Sequence, residues 1–345
     1  MSARHDDILR MLRDEDLDAL AKRAYELKTS IWGKRVALRG LVEFSNVCGK
    51  NCLYCGIRRD NSKVVRYRMS EEEIVDAVAW AEANRYGSVV LQSGELNGEQ
   101  NAAFVERVLR RIHDRFGDGL GITLSLGEQT EETYRRWKDA GAHRYLLRIE
   151  ASNRELYAKM HPADHSWSAR RDAIRTLKKL GFIVGTGVMI GLPGQSLDDL
   201  AGDIEFFADE GVDMIGMGPY IVHPDTPLAA VAAKVEKSRL LKLTLRMIAA
   251  TRLTVCDANI AATTALQAID PEGREKGLLA GANVIMPNVT PMKFREEYLL
   301  YPNKPCLHEE SELCRNCLER RVKSIGEEIA WSERCDPLHY KGRAV

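Results

Sequence analysis

Short apolar runs and amphipathic segments alternate along most of this chain. The runs fall near residues 37–44, 88–92, 121–126, 144–149, 182–190, 214–217, 259–264 and 282–286. Most of the intervals between them carry apolar residues at helical spacing and end near a glycine, as in EEEIVDAVAWAEANRYG and RRWKDAGA. Buried runs alternating with helices predict parallel βα units in an α/β fold. Eight such units can close into a (βα)8 TIM barrel, whereas a doubly wound sheet would leave open edges to cover. Ahead of the first run, Ile8, Leu9, Leu12, Leu17, Leu20, Ala21, Ala24 and Leu27 recur at helical spacing. They predict two short helices capping one end of the fold. No repeat, low-complexity stretch or long linker divides the chain. The expectation is a single folded unit: a helical cap (1–35), a barrel (36–300) and a C-terminal extension (301–345).

Composition narrows the class. The chain has 345 residues, enough for one barrel, and 45% of them are hydrophobic, enough for a large core. Its formal net charge of zero provides no general field for nucleic acid or an anionic membrane. The opening MSARHDDILRMLRDEDLDAL is charged and amphipathic, unlike a signal peptide, and no run of about 18 apolar residues occurs. A cytoplasmic location is expected. The eight cysteines include clusters at CxxxCxxC and CxxC spacing, which favours metal over disulfide in an intracellular chain.

The stretch CGKNCLYC places Cys48, Cys52 and Cys55 on a loop leaving the first predicted strand. Three thiolates at this spacing reach three corners of a cubane cluster and leave its fourth iron without a protein ligand. The competing readings are a zinc knuckle completed by a distant residue, since a structural zinc site closes with four ligands, and buried thiols without function. Active sites of barrels collect at the carboxyl ends of the strands. Here those ends carry Gln92, Ser93, Gly94 and Glu95; Ser125, Leu126, Gly127 and Glu128; and Arg148, Ile149 and Glu150. Ionisable groups on apolar strands need partners or a ligand, although any one of these ends could be a solvated loop.

Later strands carry Thr263 and Thr264, then Met286 and Asn288, with Arg274 between. Hydroxyls, an amide and a cation suit a small zwitterionic or anionic ligand, and solvated polar residues fit equally well. Tyr298 and Tyr301 in EEYLLYP read by periodicity as core or rim aromatics. Cys306, Cys314 and Cys317 form an incomplete set for a closed metal site, so a fourth ligand must be water, another residue or a labile cluster edge. Cys256 and Cys335 read as ordinary thiols, and His161, His165, His223 and His308 show no paired metal spacing.

CxxxCxxC after a first strand, with Tyr54 before the third cysteine, resembles the signature of the radical S-adenosylmethionine (SAM) enzymes. The larger block VEFSNVCGKNCLYCGIRRDN, followed by RYRMS, is similar to the HydE maturases of FeFe-hydrogenase, close to methylornithine synthase and biotin synthase. The resemblance runs over nearly the whole chain. It implies a 4Fe-4S cluster on Cys48, Cys52 and Cys55, and SAM cleaved reductively to a 5'-deoxyadenosyl radical. QSGE resembles the family's GGE segment, which meets the SAM amino group, with Ser93 in place of the first glycine before Gly94 and Glu95. Glu150 matches the acid facing the ribose, and Arg170 the guanidinium that grips the methionine carboxylate, with Arg171 its immediate competitor. GVMIGLPGQ resembles the family's GxIxGxxE beside the adenine, bringing in Met189 and Gly191, with Gln195 where an acid often stands. Tyr54, Ser125 and Arg148 complete the implied cofactor set.

Tyr298 and Tyr301 match tyrosines near the adenosyl group and substrate, which makes them the catalytic candidates. Thr263, Thr264, Arg274 and Met286 are the implied substrate residues. The spacing of Cys306, Cys314 and Cys317 matches the accessory iron-sulfur cluster, 2Fe-2S or 4Fe-4S, of many HydE maturases, a feature that methylornithine synthase lacks. The implied substrate is a cysteine-bound iron dicarbonyl cyanide synthon made by a partner maturase, whose sulfur the adenosyl radical attacks. An electron-donor protein and the other two hydrogenase maturases are the implied partners. Two alternatives stand beside this: a methylornithine-synthase-like mutase acting on a free amino acid, and a non-catalytic iron-sulfur scaffold.

Overall fold

A computed structural model describes residues 3–13, 16–232, 235–309 and 311–341. Its strands are β1 (Arg35–Leu38), β2 (Gly40–Ser45), β3 (Ser88–Ser93), β4 (Gly121–Ser125), β5 (Arg144–Leu146), β6 (Ile183–Thr186), β7 (Met189–Ile190), β8 (Met214–Ile215), β9 (Gly218–Pro219), β10 (Asn259–Ile260), β11 (Val284–Ile285) and β12 (Glu328–Ile329). The helices that matter below are α1 (Ala3–Arg13), α2 (Leu17–Trp32), α3 (Glu71–Ala83), α4 (Glu99–Phe116), α5 (Glu131–Asp139), α6 (Arg154–Met160), α7 (Trp167–Lys179), α8 (Leu197–Asp209), α9 (Lys237–Thr254), α10 (Thr264–Ile269), α11 (Gly273–Leu279), α12 (Met292–Arg295) and α13 (Ser311–Ser324).

Each of the eight apolar runs lands in a strand. Seven contribute to one all-parallel sheet in the order β10-β8-β6-β5-β4-β3-β2. The eighth, β11, pairs with β1, whose other neighbour is β12. The two-residue β12 has no counterpart among the predicted runs. At the sheet's two margins backbone bonds, two at each, continue the pattern. Ala262 N–H donates to Val284 O at 2.9 Å, and Leu41 N–H donates to Pro287 O at 2.8 Å. The molecule is thus an α/β fold with a long parallel sheet.

The strands form because their residues suit burial on both faces. All six residues of β2 and all four of β6 are buried, as a helix-covered parallel sheet requires. The covering helices start on polar caps. A capping box joins Ser70 and Glu73 at α3, another joins Ser196 and Asp199 at α8, and Thr130 and Ser166 cap α5 and α7. On α4, Ala102, Val105, Val108, Leu109 and Ile112 make the buried face. α1 packs on α8 and α9, and α2 on α9 and α11. Lys28 of α2 and Glu327, just before β12, form a wholly buried ion pair that ties the two ends of the chain together. Among the described residues no helix is long and apolar enough to cross a membrane.

Candidate active site

The cysteine loop follows β2 and has little regular structure, so its backbone groups need side-chain partners. Arg66 supplies several: Nη1 donates to Asn46 O at 2.7 Å and Ile57 O at 2.8 Å, and Nη2 to Arg58 O at 2.6 Å. The buried Asn46 donates to Val65 O at 2.7 Å and Glu297 O at 2.6 Å. The loop also rests directly on the end of β3. A Cβ at Gly94 would lie 2.3 Å from Val47 O, so only glycine allows this approach. Gly49 N–H donates to Glu95 O at 2.7 Å, and Glu95 N–H donates to Cys48 Sγ at 3.3 Å.

Burial raises the thiol pKa of all three cysteines, to about 12 for Cys52. Backbone amides of Lys50 and Glu95 oppose this at Cys48, the Arg170 charge and the Tyr54 hydroxyl at Cys52, and the Ile57 amide at Cys55. Thiols in such a place ionise on binding a cation, because a metal inverts the local electrostatics. Among the described residues, ligand atoms drawn within 4.8 Å of one another, as for a single ion, occur at Cys306, Glu309 and Cys314 and not in this loop. The wider set suits a cluster with one iron per thiolate.

The loop borders a cavity of about 310 Å³ at the carboxyl ends of the strands. Beside Cys48, Cys52, Cys55 and Tyr54, its wall takes in Ser93, Gly94, Glu95, Ser125, Arg148, Glu150, Arg170 and Met189. Across it stand Thr263, Thr264, Met286, Tyr298 and Tyr301. Three expected groups lie elsewhere. Gly191, at φ +88°, forms a turn whose N–H donates to Gln195 Oε1 at 2.7 Å; Gln195 Nε2 donates to Met189 O at 3.0 Å, so Gln195 closes this turn. Arg274 is buried in α11 and acts on Cys306, and the C-terminal cysteines are also outside the cavity wall.

Two charged groups dominate the cavity's near side. Arg170 lies 3.2 Å from Glu95 and 2.8 Å from Glu128, while Lys50 lies 3.3 Å from each of the same two acids. Arg148 stands 3.0 Å from Glu150. Glu150 holds a left-handed φ of +65°, fixed by bonds from its N–H to Gly187 O at 2.9 Å and from Met189 N–H to its carbonyl at 3.1 Å. Burial raises its carboxyl pKa against the pull of Arg148 and Arg170. Strain of this kind costs about 1–3 kcal/mol and persists where the surroundings impose it. Arg171, one residue on, pairs with Asp172 at 3.2 Å and lies over the Trp167 ring, away from the cavity.

Four buried atoms of this set lack a hydrogen bond: Glu95 Oε1, Glu150 Oε2, Arg148 Nε and Arg170 Nε. Glu95 Oε1, Arg170 Nε and Glu150 Oε2 are within ion-pair distance of a partner, so they feel charge without aligned donors. Leaving such groups unsatisfied costs about 1–3 kcal/mol each, and a bound zwitterion with hydroxyls would satisfy them. Amino, carboxylate and ribose groups of SAM therefore match the donors and acceptors present, and thiolates match a 4Fe-4S cluster.

The far side contains groups that the sequence did not single out. Lys304 Nζ lies 2.5 and 2.6 Å from the two Glu43 oxygens, and Asn288 Nδ2 donates to Glu43 at 2.9 Å. Lys304 also stands over the Tyr298 ring, and Gln92 Nε2 donates to Tyr298 Oη at 3.2 Å. An acid inside the apolar run VEFS was the available signal for Glu43. In the C-terminal extension Cys306, Glu309 and Cys314 converge, while Cys317 follows on α13 outside that 4.8 Å set. The Cys314 hydrogen bond and the Arg274 charge lower the Cys306 thiol pKa against burial. Cys256 is exposed, and Cys335 packs beside Ala37 and Val284.

The sequence profile of the radical SAM superfamily matches residues 42–207, from the end of the first apolar run through α7 and into α8. The FeFe hydrogenase maturase subunit HydE of Thermotoga maritima is 46% identical over 309 residues, which cover 90% of this chain and 86% of that one. This chain belongs to the HydE family of radical SAM enzymes. Its membership makes it a maturase of FeFe-hydrogenase, and a radical SAM enzyme implies a 4Fe-4S cluster and SAM. The 3-methylornithine synthase of Methanosarcina acetivorans is 28% identical, over 81% of this chain and 78% of that one. The crystal structure of a methylornithine synthase superposes with a TM-score of 0.81 at 23% identity, covering 95% of this chain and 94% of that one, a likeness of fold.

Proposed function

We propose that this HydE chain binds SAM between the cysteine loop and the ends of β3 to β7, and a cysteine-bound iron dicarbonyl cyanide synthon on the far side of the same cavity. A 4Fe-4S cluster on Cys48, Cys52 and Cys55 would supply the electron that cleaves SAM to methionine and a 5'-deoxyadenosyl radical. The chain's own groups do the positioning. Glu95 accepts the amino group, Arg170 grips the carboxylate with two parallel bonds, and Lys50 and Glu128 hold that pair in register. Glu150 and Arg148 face the ribose, Met189 and the Gly191 turn lie along the adenine, and Tyr54, Ser93, Gly94 and Ser125 complete the pocket. The enclosing wall keeps water and stray hydrogen donors from the radical.

Tyr298 and Tyr301 stand between the adenosyl and substrate ends. Thr263, Thr264 and Met286 would face the synthon, with its cysteine sulfur toward the adenosyl end, while Glu43 and Lys304 offer charges for an amino acid's two ends. Arg274 belongs instead with the C-terminal cysteines, where an accessory cluster is held by Cys306, Cys314 and Cys317. The seven-stranded sheet, joined through β11 and β1, forms a closed barrel, supported by the backbone bonds at both margins. The protein works in the cytoplasm with an electron-donor protein and the other two hydrogenase maturases.

One observation carries the SAM pocket: four charged or polar atoms left without hydrogen bonds beside the cysteine loop. A non-catalytic scaffold would have no use for them. Equilibrium binding of SAM to the reconstituted protein tests it. Wild type should bind, and Glu95→Ala should bind much more weakly at unchanged iron content. Equal affinity in the two proteins would contradict the assignment.

A further inference from the structure

The three C-terminal thiols leave a ligand position open, and a carboxylate stands next to it. Ligand atoms of Cys306, Glu309 and Cys314 all lie within 4.8 Å of one another. Cys317 is three residues beyond Cys314 on α13, so the two thiols share a helix face. We propose that the Glu309 carboxylate is the fourth protein ligand of the C-terminal metal site, completing Cys306, Cys314 and Cys317. This rests on the accessory-cluster reading above.

The loop that brings Glu309 to the cysteines is built rather than incidental. Arg295, only 1% exposed, donates Nη1 to Cys306 O at 3.0 Å and to Glu309 O at 2.6 Å. Its Nε donates to Thr290 O at 2.6 Å and its Nη2 to Ser311 Oγ at 2.7 Å. One guanidinium thus fixes both ligand-bearing residues of the loop, the first residue of α13 and the segment after β11. Cys306 itself holds a left-handed φ of +63°, which turns the chain back toward α13.

A second buried cation faces the same group. Arg274 is 5% exposed, its Nε has no hydrogen-bond partner, and its side chain interacts with the Cys306 thiol. Three thiolates and one carboxylate put four negative charges around the metal, more than an iron-sulfur core neutralises. A buried guanidinium with no ion pair among the described residues offsets that excess. Glu309, being exposed, lets one edge of the site reach solvent, so its ligation also explains how an incomplete thiol set can be closed without burying a carboxylate.

The test uses full-length protein reconstituted anaerobically with 57Fe(II) and sulfide. Wild type, Glu309→Ala, Glu309→Cys and the Cys306→Ala/Cys314→Ala/Cys317→Ala variant are compared by Mössbauer spectroscopy and by iron release to EDTA. Glu309→Ala should fold like wild type, because it truncates an exposed side chain, and should release the second-site iron at least about ten-fold faster, since even an outer-shell partner is worth about that much. Glu309→Cys should restore retention and move the site's Mössbauer parameters toward all-sulfur ligation. Wild-type retention and an unchanged spectrum in Glu309→Ala would overturn the proposal in favour of water. Equal iron in wild type and the triple variant would instead remove the accessory cluster itself.

Discussion

Replacing Arg170 with alanine should weaken SAM binding far more than any change to its neighbour. Arg170 is 7% exposed and stands between two carboxylates, 3.2 Å from Glu95 and 2.8 Å from Glu128. In the proposed SAM complex it would carry the methionine carboxylate as well. Truncating one partner of a desolvated charge pair costs about 2–5 kcal/mol, much of it from the charge left behind. At about 1.4 kcal/mol per factor of ten, the SAM dissociation constant should rise by roughly 30-fold to several thousand-fold. The cysteine loop is held by Arg66, Asn46 and the backbone of Gly94 and Glu95, and Arg170 meets only the Glu95 side chain, so cluster content should not change. Anaerobic equilibrium dialysis with labelled SAM, alongside iron and sulfide quantitation, measures both. Arg171→Ala is the control, since its guanidinium pairs with Asp172 outside the cavity. Strong loss of SAM in Arg171→Ala with none in Arg170→Ala would refute the placement.

Three further outcomes are expected. Glu327→Ala strands the wholly buried Lys28 ammonium; it should cost about 3–5 kcal/mol in denaturant unfolding, and a loss under 1 kcal/mol would show the pair is not buried in solution. Burial raises the Asp203 carboxyl pKa to about 7, against the Ser152 hydrogen bonds. Between the ordinary aspartate range and pH 7 the native state therefore holds a proton that the unfolded chain has lost, so stability should fall as pH rises through that window. Guanidinium unfolding at pH 5.5 and 8 should show that decline in wild type and a flatter dependence in Asp203→Asn; equal slopes would remove Asp203 as its source. Glu150→Gly relieves the left-handed strain and removes the proposed ribose partner; it should still fold yet bind SAM more weakly, and retained affinity would exclude Glu150 from the pocket.

How much of this was legible depends on range along the chain. The eight runs announced the strands because a parallel sheet covered by helices buries both faces, leaving continuous apolar stretches such as β2 and β6. β12 escaped because two residues carry no period, and it is defined only by its pairing with β1. The cysteine loop was legible from spacing, since the cluster itself dictates it. The choice between Arg170 and Arg171 was available too. Arg170, Ile174 and Leu177 are the buried residues of α7, at the i, i+4, i+7 positions of one face, where an adjacent residue cannot also point inward. Glu43 and Lys304 were not legible as a pair. They meet across 261 residues, and an isolated acid in a strand or lysine in a tail carries no sign of its partner. The same holds for Lys28 with Glu327 and for the buried charge of Arg144 with Asp336. Glu309 is close to its cysteines in sequence, but only the turn at Cys306 and the Arg295 clamp make it converge with them.

The most direct test of a SAM-cleaving cluster at the cavity mouth is product formation by the anaerobically reconstituted protein. Dithionite and SAM should yield 5'-deoxyadenosine and methionine with wild type. Cys52→Ala should yield none, because two thiolates cannot hold the cluster in place beside Glu95 and Arg170. Wild-type-level 5'-deoxyadenosine from Cys52→Ala would contradict the account.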